Sequence, residues 1–444
     1  MEERLIIVGA GLAGLSAAIT AAQKGMKNVL VSLQPSERAQ SVLAEGGISG
    51  ELSGSAEGLE QHFQDTMKAG GYLADPEGVR RLVNAAPEVI CGLRQLGTAF
   101  QMENGKLVCR RMGGHSRERT VFAKDQTGKA IMSALIDEAR KYENEKTVLR
   151  MPHHDFLELM IQGDLCGGCV VKDRYTGEIR RLKGPVILAS GGLSGLFPGC
   201  ATGTVHNTGI VTAAAFRQGV ELANLEFIQY HPTTFQIPGK RCLVSESARS
   251  EGGRLMARRN QSKWYFMEDI YGADGNLAPR DVISREMEKI YRRPDCDHQI
   301  WMDMTAAAQA AAELGEFAAS DTGSLQSAWE QDGDGSLRSG IKRKIGDILY
   351  QGMGIIRSEE GLNRSLAALK ALGKSETLTQ AETDESLLGM AMLRAALERR
   401  ESRGAHWRED YPESQEAFQK TTVVSYDGQQ IRVRFRQLPE PMEG

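Results

Sequence analysis

Apolar residues fall in short unbroken runs in the first half of the chain and in helical stripes in the second. LIIV, residues 5–8, has no polar interruption, which is the pattern of a strand covered on both faces. GAGLAGLSAAITAAQKG follows it. A glycine turn there leads into small and apolar residues at close spacing, as in a helix lying flat on a sheet. NVLVSL returns to a buried strand, and PVILASGG repeats the strand-to-glycine-turn motif. TVLRMP, FLELMI and CVVKD add strands, RYTGEIRRL reads as a hairpin, and the polar stretch Ser55–Leu96 has helical spacing. Such alternation predicts an α/β fold with a mostly parallel, Rossmann-like sheet.

Beyond His231 the pattern changes to short mixed elements with many charges. The expected organisation is a first domain over 1–232, an inserted α+β capping domain over 233–310 and an Ala-, Gly- and acid-rich connector over 311–336. A helical domain over 337–444 then ends in a β-hairpin, because TTVVSY and IRVRFR alternate around Asp427-Gly428.

A length of 444 residues is enough for two or three cores. Hydrophobic residues at 41% and charged residues at 25% are ordinary for a globular enzyme. A net charge of −4 provides no global attraction for nucleic acid or an anionic membrane. No apolar run reaches membrane-spanning length, and with Met-Glu-Glu-Arg directly ahead of LIIV no signal peptide is expected. The expectation is a cytoplasmic chain that meets a membrane only through a partner. The seven cysteines have no framework spacing, so reduced thiols are expected. Cys166 and Cys169 form CGGC, but there is no second pair to complete a metal site. A strand-and-loop position is therefore expected for them, and no metal is assigned.

Glycine changes the picture most. Gly9, Gly11 and Gly14 make GxGxxG between a strand and a helix start, where backbone N–H groups approach a diphosphate and the helix N-terminus stabilises its charge. The second strand ends at Ser32 rather than at the acidic residue that marks an NAD ribose site. Ser41, Ala44, Gly46 and Gly47, in SVLAEGGI, form a second loop that lets backbone lie against a flat ring. Ala189, Ser190 and Gly191 provide a third close approach. Three such turns suit one long dinucleotide across the sheet ends, and FAD fits better than NAD.

Three charged segments carry candidate chemistry. EFIQYHPTTF holds His231, a residue that in isolation reads as structural. SESARSEGG sets Glu246 and Arg249 three apart on one helical face, where a surface ion pair is the plain reading. LAPRDVISREM puts Arg280 behind Pro279, which alone is a surface charge at a helix start.

Taken in order, ERAQSVLAEGGI, RMGGHSRERTVFAKDQTGKAIMSAL, ILASGG, EFIQYHPTTF, SESARSEGGRL, LAPRDVISREM and ESRGAHWREDYPE resemble the flavoprotein subunit of succinate dehydrogenase and fumarate reductase. L-aspartate oxidase is a relative of that family. The resemblance covers roughly 4–305 and 337–437. It implies hydride exchange between FAD and a dicarboxylate or related α,β-unsaturated acid. It also implies Arg280 as proton donor, Glu246 and Arg249 as its relay, and His231 with Ser245 as substrate-binding groups. An iron–sulfur or other electron-carrier protein is the implied partner.

Two departures stand out. Many members attach FAD through a histidine where this chain has Gln40, so the flavin is expected to be non-covalent. After IWMDMTAAAQ, the long segment that completes the FAD domain in relatives is replaced by about 25 residues. Three functions therefore stay open: the oxidoreductase, a flavin-binding or scaffold paralogue, and L-aspartate oxidase.

Overall fold

In the computed structural model, residues 3–197, 200–237, 240–306, 308 and 340–439 are described. The connector at 311–336 lies outside them. At the amino terminus β1 (Leu5–Val8) leads through the glycine turn into α1 (Leu12–Gln23), then β2 (Asn28–Val31). Further on, α2 (Ala56–Ala69), α3 (Pro76–Gln95) and α4 (Thr127–Asn144) precede β3 (Val148–Met151). The polar stretch after Ser55 is thus helical, with Ser55 and Asp75 capping α2 and α3 through their side-chain oxygens.

An antiparallel meander follows, with β4 (His154–Gln162), β5 (Leu165–Asp173) and β6 (Ile179–Lys183), and the chain then enters β7 (Val186–Leu188). The central sheet has the order β7-β1-β2-β3 and is parallel throughout, with Ile6 opposite Val186 and Leu5 opposite Asn28. This is the predicted α/β core. Ile7, Leu30, Leu15 and Ile19 pack with α4 on one face. Ile6, Val8, Val29 and Val31 pack with the meander on the other. Burial on both faces explains why β1 and β2 are apolar without alternation; the edge strand β7 is equally apolar in sequence but leaves Ile187 and Leu188 exposed.

FLELMI and CVVKD do not extend the parallel sheet; they pair antiparallel in the meander. Cys166 is exposed and Cys169 buried, with a register shift between them. Burial pushes the Cys169 thiol up to about 12, which leaves it a small apolar side chain.

The middle of the chain holds α5 (Ile210–Arg217), the two-residue strand β8 (Leu222–Ala223) and the pair β9 (Thr234–Ile237) and β10 (Lys240–Leu243). A separate small core joins β11 (Arg254–Arg259), β12 (Ser262–Trp264), α6 (Arg280–Tyr291) and β13 (Cys296–Asp303) around Leu255, Phe266, Ile283 and Ile290.

The last helices are α7 (Gly340–Met353), α8 (Glu359–Ser375) and α9 (Gln380–Glu398). They share one core with Leu196, Phe197, Ala213, Phe216 and Leu225. The terminal hairpin forms as the alternation predicts, with β14 (Thr421–Tyr426) against β15 (Ile431–Arg436). Gly428 turns it at φ +91°, and Asp427 Oδ1 accepts the amides of Gln429 and Gln430. The hairpin also pairs with β8, which ties the carboxyl terminus to the body of the molecule.

Within ESRGAHWREDYPE, Glu401, Ser402, His406 and Arg408 are buried, while Glu409, Asp410, Pro412 and Glu413 are exposed, and Arg399 just ahead of the string is buried as well. Arg399 and Glu226 are both fully buried and 2.6 Å apart. Glu226 also accepts from the Thr422 hydroxyl, and Arg399 further binds Glu401 and the carbonyls of Phe418 and Lys420. Arg357 donates to the Glu226 carbonyl and contacts His406 at 3.0 Å. Burial, then the positive charge of Arg357, holds His406 well below the usual histidine value, so it stays neutral in this cationic cluster.

Candidate active site

At the carboxyl ends of the parallel strands the backbone itself forms a cradle. Gly9 has φ +114°, and a Cβ there would meet the Ala189 carbonyl oxygen at 2.1 Å. A Cβ on Gly14 would meet the Gly9 oxygen at 1.7 Å. The first and third glycines of the turn are therefore sterically required. Ser41 Oγ accepts from the Leu12 amide at 3.1 Å, so the second loop is fastened to the first turn of α1.

A cavity of about 460 Å³ follows the cradle. Gly9, Gly11, Ser32, Ser41, Ala189, Ser190 and Gly191 all line it. Ser32 Oγ donates to the Gln34 carbonyl at 2.7 Å and keeps its lone pairs for a ligand. The glycine-walled shape, open along the strand ends and beside a helix N-terminus, fits an extended diphosphate dinucleotide such as FAD. Arg38, Asn207 and His206 line it too, outside the glycine motifs. Arg38 lies only a few residues beyond the second strand, and a cation so near a predicted diphosphate turn was a usable signal. Nothing local marks His206 and Asn207, which arrive from far along the chain.

Gly14, Ala44, Gly46 and Gly47 are not on this wall. Gly14 serves the tight packing of helix on strand. Gly47 has φ +114°, and its Cβ position is 2.5 Å from the Val121 oxygen. The Ala44 carbonyl accepts the Gly128 amide at 2.7 Å, and the Glu45 carbonyl accepts from the Thr127 hydroxyl at 3.2 Å. This part of the loop seats the start of α4.

Gln40 lines the first cavity and also a second one of about 640 Å³. Its Oε1 accepts the Thr204 amide at 2.6 Å. His231 lines the second cavity, where its Nδ1 lies 3.1 Å from the Thr233 carbonyl and 3.2 Å from the Thr233 amide. Burial, reinforced by the charge of Arg280, lowers His231 to about 4, so the ring is neutral at neutral pH.

Glu246 and Arg249 meet as their spacing suggests, at 3.0 Å, but Arg280 joins them from 34 positions on. Arg280 donates through Nε to Glu246 Oε1 at 2.7 Å and through a terminal nitrogen to Oε2 at 3.1 Å. Pro279 precedes it at the start of α6, where its fixed φ suits helix entry. The Arg280 side chain is 43% exposed, against 11% for Glu246 and 2% for Arg249. Arg249 also donates to the Asn276 carbonyl at 2.8 Å. Burial acts to raise the Glu246 carboxyl, yet the hydrogen bond and charge of Arg280, with the charge of Arg249, outweigh it and hold the group below its ordinary value. Burial pulls the Arg249 guanidinium down, with Glu246 opposing. Ser245 stands half-buried next to Glu246 in the chain.

A glycine cradle at the switch point of a parallel sheet is the arrangement of dinucleotide-binding folds, and Gln40 connects its cavity with the one that His231 lines. The chain belongs to the FAD binding domain family, which matches residues 4–438. It is 38% identical over 290 residues to the succinate dehydrogenase flavoprotein subunit of Bacillus subtilis, covering 64% of this chain and 50% of that protein. It is 34% identical over 307 residues to L-aspartate oxidase 2 of Ralstonia nicotianae, covering 69% and 55% respectively. The chain thus spans about half the length of the curated relatives it matches. Its fold superimposes on an E. coli quinol fumarate reductase chain with a TM-score of 0.80 at 21% identity, covering 99% of this chain and 97% of that one. Among the described residues no helix is long and apolar enough to cross a membrane, and no cluster of His, Cys, Asp or Glu could hold a metal ion.

Proposed function

We propose that this chain is an FAD-dependent oxidoreductase acting on the bond α,β to a carboxylate. The observation that carries the reading is the Arg280–Glu246–Arg249 array beside neutral His231. FAD, when bound in the cradle, supplies the hydride exchange with the substrate. Arg280 stands for the proton. Hydride arrival at one alkene carbon builds carbanion character on its neighbour, a centre basic enough to take a proton from a guanidinium of pKa above ~12. The fixed positive charge stabilises the developing enolate at the same moment. After Arg280 has given up its proton, Glu246, ionised and bonded to both arginines, would take a proton from Arg249 and pass it to Arg280, and Arg249 would then regain one from solvent. His231 and Ser245 would bind a substrate carboxylate through neutral donors.

Gln40 has no nucleophilic nitrogen and is engaged with Thr204, which supports non-covalent flavin. Acid precipitation should therefore release all of the chromophore. Electrons would pass to or from a separate iron–sulfur or similar carrier, and a second chain would complete the site if the half-length match reflects a divided protein. The test is turnover of fumarate and related enoates with a reduced dye on FAD-loaded protein. Peroxide formed from aspartate would instead favour the L-aspartate oxidase reading, which the 34% identity to such an enzyme keeps in view. Bound flavin without turnover of any acid would favour a scaffold.

A further inference from the structure

The second cavity contains a cation that the proposed chemistry does not use. Arg241, on β10, lines it and donates to the Thr234 hydroxyl at 3.1 Å. Its Nε is buried and has no hydrogen-bond partner among the described residues. That enclosed Nε is out of a ligand's reach, so an anion in the cavity would be held by the positive charge of the guanidinium that lines it. The one carboxylate on the described wall, Glu288, is tied to Arg292 Nε at 3.0 Å and is thereby partly neutralised.

Three tyrosines and Phe197 line the same cavity among smaller and aliphatic side chains. Tyr230 and Tyr350 meet edge to face with ring centroids 5.9 Å apart, and Tyr291 joins them. Burial pushes Tyr350 up to about 12 and raises Tyr291 and Tyr230 as well, so all three rings stay neutral. A volume of about 640 Å³ falls in the range that holds drug-sized ligands. Even with the end around Gln40 given to the flavin ring, this is more room than a four-carbon diacid needs.

We propose that this cavity receives the body of a substrate larger than a four-carbon diacid: an enoate whose flat apolar body packs on the tyrosines and whose far end carries a second anion, bound by Arg241. The inference rests on the enoate reading above, with the reacting end at His231 and Arg280. Arg241 is a specificity-determining residue and has no part in the proton transfer.

The experiment is calorimetric binding of three probes to the FAD-loaded protein: fumarate, cinnamate and 4-carboxycinnamate. Binding does not require turnover, so failure of the redox reading and failure of this one are separable. 4-Carboxycinnamate should bind most tightly. Arg241→Met should weaken it about 10- to 100-fold, to the level of cinnamate, as expected for loss of a charge-assisted contact. Cinnamate and fumarate should change little, and Arg241→Lys should fall between. Fumarate binding as the tightest of the three would overturn the proposal. So would Arg241→Met shifting all three probes alike, or none. If Arg241→Met does not fold, the ranking on the unaltered protein and the Arg241→Lys series still decide.

Discussion

Arg280→Lys separates catalysis from stability. In the structure the guanidinium plane is fixed by two bonds to one carboxylate, 2.7 and 3.1 Å long. Lysine keeps the charge but presents a point donor, so at most one of these contacts survives in register. Arg280 is 43% exposed, and solvent screens the pair. The stability cost should therefore remain about 1 kcal/mol or less. The cost to the reaction is larger. A positioned general acid contributes about 10²- to 10⁴-fold, and misplacing it by a side chain of different length forfeits most of that factor. That corresponds to about 3–5 kcal/mol on the barrier. The assay is dye-coupled fumarate reduction on protein with flavin content and thermal midpoint measured in parallel. Expected are intact flavin, a midpoint within a few degrees and kcat lower by at least about 100-fold. Turnover within tenfold of the unaltered protein would remove Arg280 from the proton transfer.

Gly9→Ala should abolish flavin retention and lower the thermal midpoint, because the new Cβ would sit 2.1 Å from the Ala189 oxygen at φ +114°. The backbone strain alone is about 1–3 kcal/mol, and retained flavin at unchanged stability would refute the cradle argument. Arg399→Ala should cost about 3–5 kcal/mol in chemical denaturation by leaving the buried Glu226 charge uncompensated; a loss below about 1 kcal/mol, the size of an exposed pair, would contradict that role. His231 is lowered from 6.5 to about 4 on folding, so the unfolded chain binds a proton that the folded chain resists. Its contribution is complete above about pH 6.5 and is lost as pH falls towards 4. Melting curves across that window should be steeper for the unaltered protein than for His231→Gln, and identical slopes would show that the imidazole is not held neutral.

The site was only partly legible. The short distance in sequence between Glu246 and Arg249 was visible, but the carboxylate's stronger partner, Arg280, comes from a different helix. Gln40 stands out in sequence because its amide nitrogen is not nucleophilic; its bond to Thr204, 164 positions away, has no local signature. The ESRGAHWREDYPE string is readable as a family motif, whereas the burial of Glu401, His406 and Arg408 within it, and of Arg399 ahead of it, is not. Charged residues read as surface until the chain brings Glu226 against Arg399, across 173 positions.

What the sequence determined by itself is whatever depends on neighbours along the chain. Unbroken apolar runs specify strands, and glycine at Gly9 specifies a turn that a Cβ would obstruct. Asp427-Gly428 specifies the closing hairpin. What the tertiary structure decided is everything that depends on where distant backbone returns. That includes the antiparallel pairing of the meander, the docking of the hairpin on Leu222–Ala223 and the seating of Gly47 against Val121. It also includes the exposure of one arginine of the Glu246 array and the burial of the other. Periodicity records which side of an element is apolar, but not which element covers it, and the energy of a charge is set by that covering.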